Sequence, residues 1–144
     1  LYVVIGKEID DAYMAELKKQ IIHPDIIKEV ADDIRIVYSP FHGTGNVPVR
    51  RILSELGFKH VYVVPEQELP DPDFTTLEYP NPEDPKAFTL ALKLAKEKNA
   101  DIVLATDPDA VSYTHLTMQT VLVFMHWIQR PANMYRLPEI CPEC

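Results

Sequence analysis

The chain has 144 residues, 47% hydrophobic and 25% charged, which suits one α/β domain with a real core and leaves no room for several. Its formal net charge of −8 excludes the basic patches that nucleic acid or an anionic membrane would require, and leaves cation binding open because hard cations take carboxylates. The longest apolar run, Val121–Met125, is far too short to cross a bilayer; the opening LYVVIGKEIDDAYM turns acidic too early for a signal peptide, so a cytoplasmic protein is expected.

Along the chain, Asp10 and Asp11 precede AYMAELKKQII, where Met14, Leu17 and Ile21 recur at helical spacing. The two aspartates are expected at the helix N-terminus, capping it and complementing its dipole. His23-Pro24 ends that helix, since a residue before proline avoids the α region, and PDIIKEVADD begins a second one with its proline in the first turn. IRIVY (34–38) reads as a buried strand bounded by the glycine-containing turn SPFHGTGN. VPVRRILSELG is expected to be helical, with Val49, Ile52, Leu53 and Leu56 on one face and Gly57 as its stop.

HVYVVP (60–65) is the second expected strand. In EQELPDPDFTTLEYPNPEDP the prolines predict irregular structure. KAFTLALKLAKEKN is the clearest amphipathic helix, with Phe88, Leu92 and Ala95 facing inward and the lysines outward. ADIVLAT (100–106) is the third strand. Strands alternating with helices imply a mainly parallel sheet with right-handed crossovers, covered on both faces: a three-layer α/β/α architecture.

Ligands usually bind along the edge where loops leave the carboxyl ends of parallel strands. Three such loops are expected, SPFHGTGN, EQELPDPD and DPDA, and they should face one cleft. In an extended loop Asp107 and Asp109, at i and i+2, point the same way and suit one Mg²⁺, whose octahedron a substrate phosphate often completes. The two glycines of FHGTGN would let backbone approach a ligand closely; His42 is either a general-base candidate or a packing residue of a strand–helix turn. Glu66, Gln67, Asp71 and Asp73 read as a proline-braced acidic loop or a second metal site, and Pro80–Pro85 as a rigid lead into the next helix.

Composition changes near residue 110. Residues 1–110 hold 12 of the 14 basic and 20 of the 22 acidic side chains, and hence the whole net charge. The remaining residues hold the only Trp, three of the four Met and both Cys. Cys141 and Cys144 have the spacing of half a zinc site, but no second pair completes four ligands, so they read as a chance pair in a loose tail.

The stretches IVYSPFHGTGNVPVRRILSELGF, VVPEQELPDPDF, YPNPEDPKAF and ADIVLATDPDA, in that order, resemble the second of four domains in α-D-phosphohexomutases of the phosphoglucomutase/phosphomannomutase type. The resemblance implies a parent enzyme, an isomerase of carbohydrate metabolism, that moves a phosphoryl group between the 1- and 6-positions of a hexose through a bisphosphate intermediate. It also implies a phosphoserine in another domain and Mg²⁺ held by a DPDADR-like loop, whose first two aspartates Asp107 and Asp109 match. A sugar phosphate is the implied substrate, reached through domains outside this chain. No catalytic residue of the family falls here, so the isolated chain is expected to be inactive.

Two departures stand out. The family loop calls for Asp and Arg where this chain has Val111 and Ser112, and DFTT stands where relatives usually carry DFPT. Past Ala110 the resemblance ends, and VSYTHLT back-translates as GTC TCT TAT ACA CAT CTG ACG, resembling a transposon-end sequencing adapter. Residues 111–144 are thus expected to be a non-native read-through tail, disordered or irregular. Two rival readings remain: a haloacid-dehalogenase-like phosphatase, in which Asp107-x-Asp109-x-Val111 supplies Asp107 as nucleophile, and a non-catalytic acidic binding domain.

Overall fold

The computed structural model of the chain describes residues 2–111 and the backbone of 113–117. Two helices open it, α1 (Gly6–Lys18) and α2 (Pro24–Val30), the second with its proline in the first turn. Strand β1 (Arg35–Ser39) follows, then α3 (Asn46–Glu55), β2 (His60–Val63) and the single turn α4 (Pro65–Glu68). A 3₁₀ turn (Pro85–Phe88) leads into α5 (Thr89–Lys98) and β3 (Ile102–Thr106), and β4 (Tyr113–Thr117) closes the sheet.

The sheet order is β2-β1-β3-β4. β1 runs parallel to both neighbours, with Val37 opposite Tyr62 on one side and Val103 on the other. Its residues alternate between two covered faces, as expected of a central parallel strand. On one face Val37, Val103 and Ala105 meet α5 and the turn before it through Phe88, Ala91, Leu92 and Ala95, all at most 5% exposed. Ile36 and Tyr38 belong to the other face and are buried, as are Met14 of α1, Ala31 and Leu53 of α3. This is the three-layer α/β/α arrangement, and the inward residues expected for α5 are the ones buried. Of the expected α3 face, only Leu53 is fully buried, with Val49, Ile52 and Leu56 half-buried.

Helix ends follow local chemistry. Gly57, at φ 97°, stops α3, and Asn99, at φ 50°, ends α5 in the left-handed conformation that Asn tolerates. The start of α1 differs from expectation: the helix begins at Gly6, so Asp10 and Asp11 lie within it and cap nothing. Asp11 is held by Lys7 one turn earlier and by Arg51 of α3, and Arg51 and Lys18 both reach Glu55 at 2.6 Å. A tertiary ion-pair network has taken the place of a cap.

Two further expectations need correction. Pro65, expected to end the second strand, and residues 66–68 of the proline-rich segment form a helical turn, because Pro65 occupies the first helical position, where proline fits. Within the tail expected to be disordered or irregular, the backbone of 113–117 is a strand, antiparallel to β3 with Thr106 opposite Tyr113. Without it β3 would present an unpaired backbone edge, which another strand readily fills. Residues 112 and 118–144, including the Cys141–Cys144 pair, lie outside the described residues.

Candidate functional site

The three loops that leave the carboxyl ends of β1, β2 and β3 meet, as the parallel order requires. They meet chiefly by bonding to one another. His42 N–H donates to the Gln67 carbonyl at 2.9 Å, and the Asn46 side-chain amide donates to the Glu68 carbonyl at 2.8 Å, joining the first loop to the second. Thr44 N–H and its hydroxyl donate to the Pro108 carbonyl at 2.9 and 3.1 Å, joining the first loop to the third.

His42 is 7% exposed, and both ring nitrogens are engaged. Nδ1 lies 2.7 Å from the Leu69 carbonyl, which can only accept, so Nδ1 donates there, and Nε2 lies 2.8 Å from the Thr76 hydroxyl. Thr76 in turn accepts from the Gln67 amide at 3.3 Å, and the Gln67 carbonyl oxygen accepts from Ser39 at 2.7 Å. The Ser39 oxygen accepts the Phe41 N–H at 3.3 Å. The network runs from Phe41 to His42 with fully buried Gln67 at its centre. Both ring nitrogens of His42 are thus engaged within the protein, and the side chain ties two loops together.

The middle loop is braced by its own residues. Asp71 accepts from Thr75 N–H and hydroxyl, at 2.8 and 2.6 Å, and from Asp73 N–H at 3.0 Å. These bonds, those of Thr75 foremost, hold the Asp71 carboxyl below its usual pKa. Glu68 pairs with Arg50. The acidic side chains of Glu68 and Asp71 are thus engaged in local structure. Proline in place of Thr75 would lack both donors that Thr75 gives Asp71.

Asp107 and Asp109 lie on a turn, not on the extended loop expected, closed by Ala110 N–H donating to the Asp107 carbonyl at 3.0 Å. Val111 N–H donates to Asp109 Oδ1 at 3.2 Å. Both aspartates nevertheless line one open depression of about 350 Å³, shared with Pro108 and with Tyr79, Pro80 and Asn81 of the segment read as a rigid lead. That segment had no sequence signal placing it there, because only the fold brings residues so far apart in the chain together. Among the described residues no group of three His, Cys, Asp or Glu side chains could hold a metal ion. Two carboxylates on one turn fit Mg²⁺, which is commonly bound by one or two carboxylates with waters and substrate phosphate making up its shell.

The glycines serve a different approach from the one expected. A Cβ on Gly43 would lie 2.4 Å from Pro108 Cα, and one on Gly45 would lie 2.6 Å from Thr106 Oγ1 and 2.7 Å from the Tyr38 hydroxyl. The first loop closes on its own protein, backbone against backbone at Gly43.

Residues 11–111 match the family described as phosphoglucomutase/phosphomannomutase, alpha/beta/alpha domain II. The "Probable phosphomannomutase" of Haemophilus influenzae is 41% identical over 109 residues, covering 76% of this chain and 21% of that protein. The human "Glucose 1,6-bisphosphate synthase" is 41% identical over 105 residues, 72% of this chain and 17% of its own length. The chain thus spans about a fifth of the length of the curated relatives it matches. A crystal structure of a Thermus thermophilus protein designated a phosphomannomutase superposes with a TM-score of 0.59 at 21% identity, over 76% of this chain and 24% of that one, and shows the shared fold. Among the described residues no helix is long and apolar enough to cross a membrane. With the match covering most of its described residues, the chain belongs to the phosphoglucomutase/phosphomannomutase family, as an alpha/beta/alpha domain II.

Proposed function

We propose that this domain serves a sugar-phosphate mutase by contributing Asp107 and Asp109 as carboxylate ligands of a Mg²⁺ ion. The single observation that carries the reading is the placing of both aspartates on the turn leaving β3, lining one depression, inside the family match. A Mg²⁺ ion bound there supplies charge neutralisation to a transferring phosphoryl group, the dominant need of such a reaction. The chain's own residues bring both aspartates onto one turn and tie that turn to the first loop. The parent reaction is phosphoryl transfer between the 1- and 6-positions of a hexose phosphate through a bisphosphate, a reading drawn from the family resemblance and from relatives named as mutases.

Alone, the domain does not turn over. Val111 stands where the family loop calls for a third aspartate, and its neutral side chain is 80% exposed. The family match ends at Val111.

The test is to titrate Mg²⁺ or Mn²⁺ into the 144-residue chain by calorimetry. Weak binding is expected, lowered by an order of magnitude or more in Asp107→Asn and Asp109→Asn, because affinity follows the number of charged ligands. Binding unchanged in both variants would sink the assignment. Phosphate release from a generic phosphomonoester, abolished by Asp107→Asn, would revive the phosphatase reading instead.

A further inference from the structure

We propose that Thr44 is a positioning residue for the Asp107–Asp109 pair, its amide and hydroxyl together pinning the peptide that joins Pro108 to Asp109; the proposal rests on the cation-binding reading above. Within the turn from 107 to 110, Ala110 N–H closes on the Asp107 carbonyl at 3.0 Å, and Val111 N–H reaches Asp109 at 3.2 Å. The first loop adds support from outside. The Pro108 carbonyl accepts from Thr44 twice, at 2.9 and 3.1 Å, which occupies both of its lone pairs. Gly43 lies so close beside it that no side chain fits between. The accepting oxygen belongs to the peptide between the two aspartates, so a shift there re-aims both carboxylates relative to each other.

Thr44 is itself held from behind. Phe41 and His42 take φ of 47° and 62°, a conformation that non-glycine residues adopt only where their surroundings impose it. Here the surroundings do. Phe41 is fully buried with its ring edge-on to Phe88 at 5.8 Å, and His42 is fixed through both ring nitrogens to Leu69 and Thr76. The two left-handed residues turn the chain so that Gly43 and Thr44 meet Pro108. Thr44 does not itself line the depression, so its influence on a cation passes through the turn.

The experiment compares Mn²⁺ affinity of the 144-residue chain with that of Thr44→Val and Thr44→Ser, by electron paramagnetic resonance of free Mn²⁺ well below the melting temperature of each. Thr44 is exposed, so both variants are expected to keep the fold, and circular dichroism checks this. Thr44→Val is expected to bind about threefold to tenfold more weakly, the worth of one hydrogen bond, and Thr44→Ser to bind as the parent chain does. Equal affinity in Thr44→Val, or an equal loss in Thr44→Ser, overturns the positioning role. Failure of the cation reading looks different: Asp107→Asn then binds as well as the parent chain, and Thr44 has nothing to position.

Discussion

Gly43 shows why a glycine in a site loop needs a three-dimensional explanation. Its φ is unremarkable; what it lacks is room, since a Cβ would meet the Cα, C and O atoms of Pro108 at 2.4–2.8 Å. Backbone atoms cannot swing aside as a side chain would, so Gly43→Ala must push the first and third loops apart. We expect a loss of about 1–3 kcal/mol in chemical denaturation, typical of overpacking, together with weaker cation binding. An unchanged midpoint would mean that the loops separate freely. The sequence does single out Gly43 and His42 as unusual, and leaves His42 open between a general base and a packing residue. Their real partners are Pro108, Leu69 and Thr76, at separations of 27 residues or more, which no local pattern encodes.

At the scale of elements, α1 is tied to α3 by a surface charge network, and Met14 of α1 is buried. Lys7 first, then Arg51, holds the Asp11 carboxyl below its ordinary value of 3.8. Lys18 first, then Arg51, does the same to Glu55 from 4.5. Both acids are therefore easier to ionise in the folded chain than in the unfolded one. Their contribution is fully present above about pH 4.5 and is lost as the pH falls through the lower folded values. These groups are exposed, so salt screens the same attraction. Protection factors of α1 amides, measured by hydrogen exchange, are expected to fall on acidification before those of β1 and α5, and to fall at neutral pH in high salt. Parallel loss across all three elements would show that the network does not hold α1 separately. The aspartates were legible as helix-associated residues, while their partner on α3 was not, because Arg51 lies 40 residues away.

For the whole molecule, the decisive check is at the source locus. We expect the reading frame to continue past Ala110 as Asp-Arg into further domains, and the protein so encoded to interconvert hexose 1- and 6-phosphates. A locus that truly encodes Val-Ser-Tyr-Thr-His would break the metal loop and leave a binding role in place of catalysis. The α/β/α architecture was legible in advance because it follows from short-range physics: continuous apolar strands, amphipathic helices and prolines that punctuate them. The candidate aspartates were legible for the same reason, since a polar pair directly after a buried strand must fall at the sheet's carboxyl edge. By itself, then, the sequence determined the order of the elements from α1 to β3 apart from the turn α4, the faces that α5 buries and the edge at which polar chemistry collects. Only the tertiary structure decided that the loops bond first to each other, that His42 is committed to Leu69 and Thr76, and that Tyr79 and Asn81 stand beside Asp107. Those contacts join residues far apart in the chain, and their free energy exists only once β1, β2 and β3 have been brought into register.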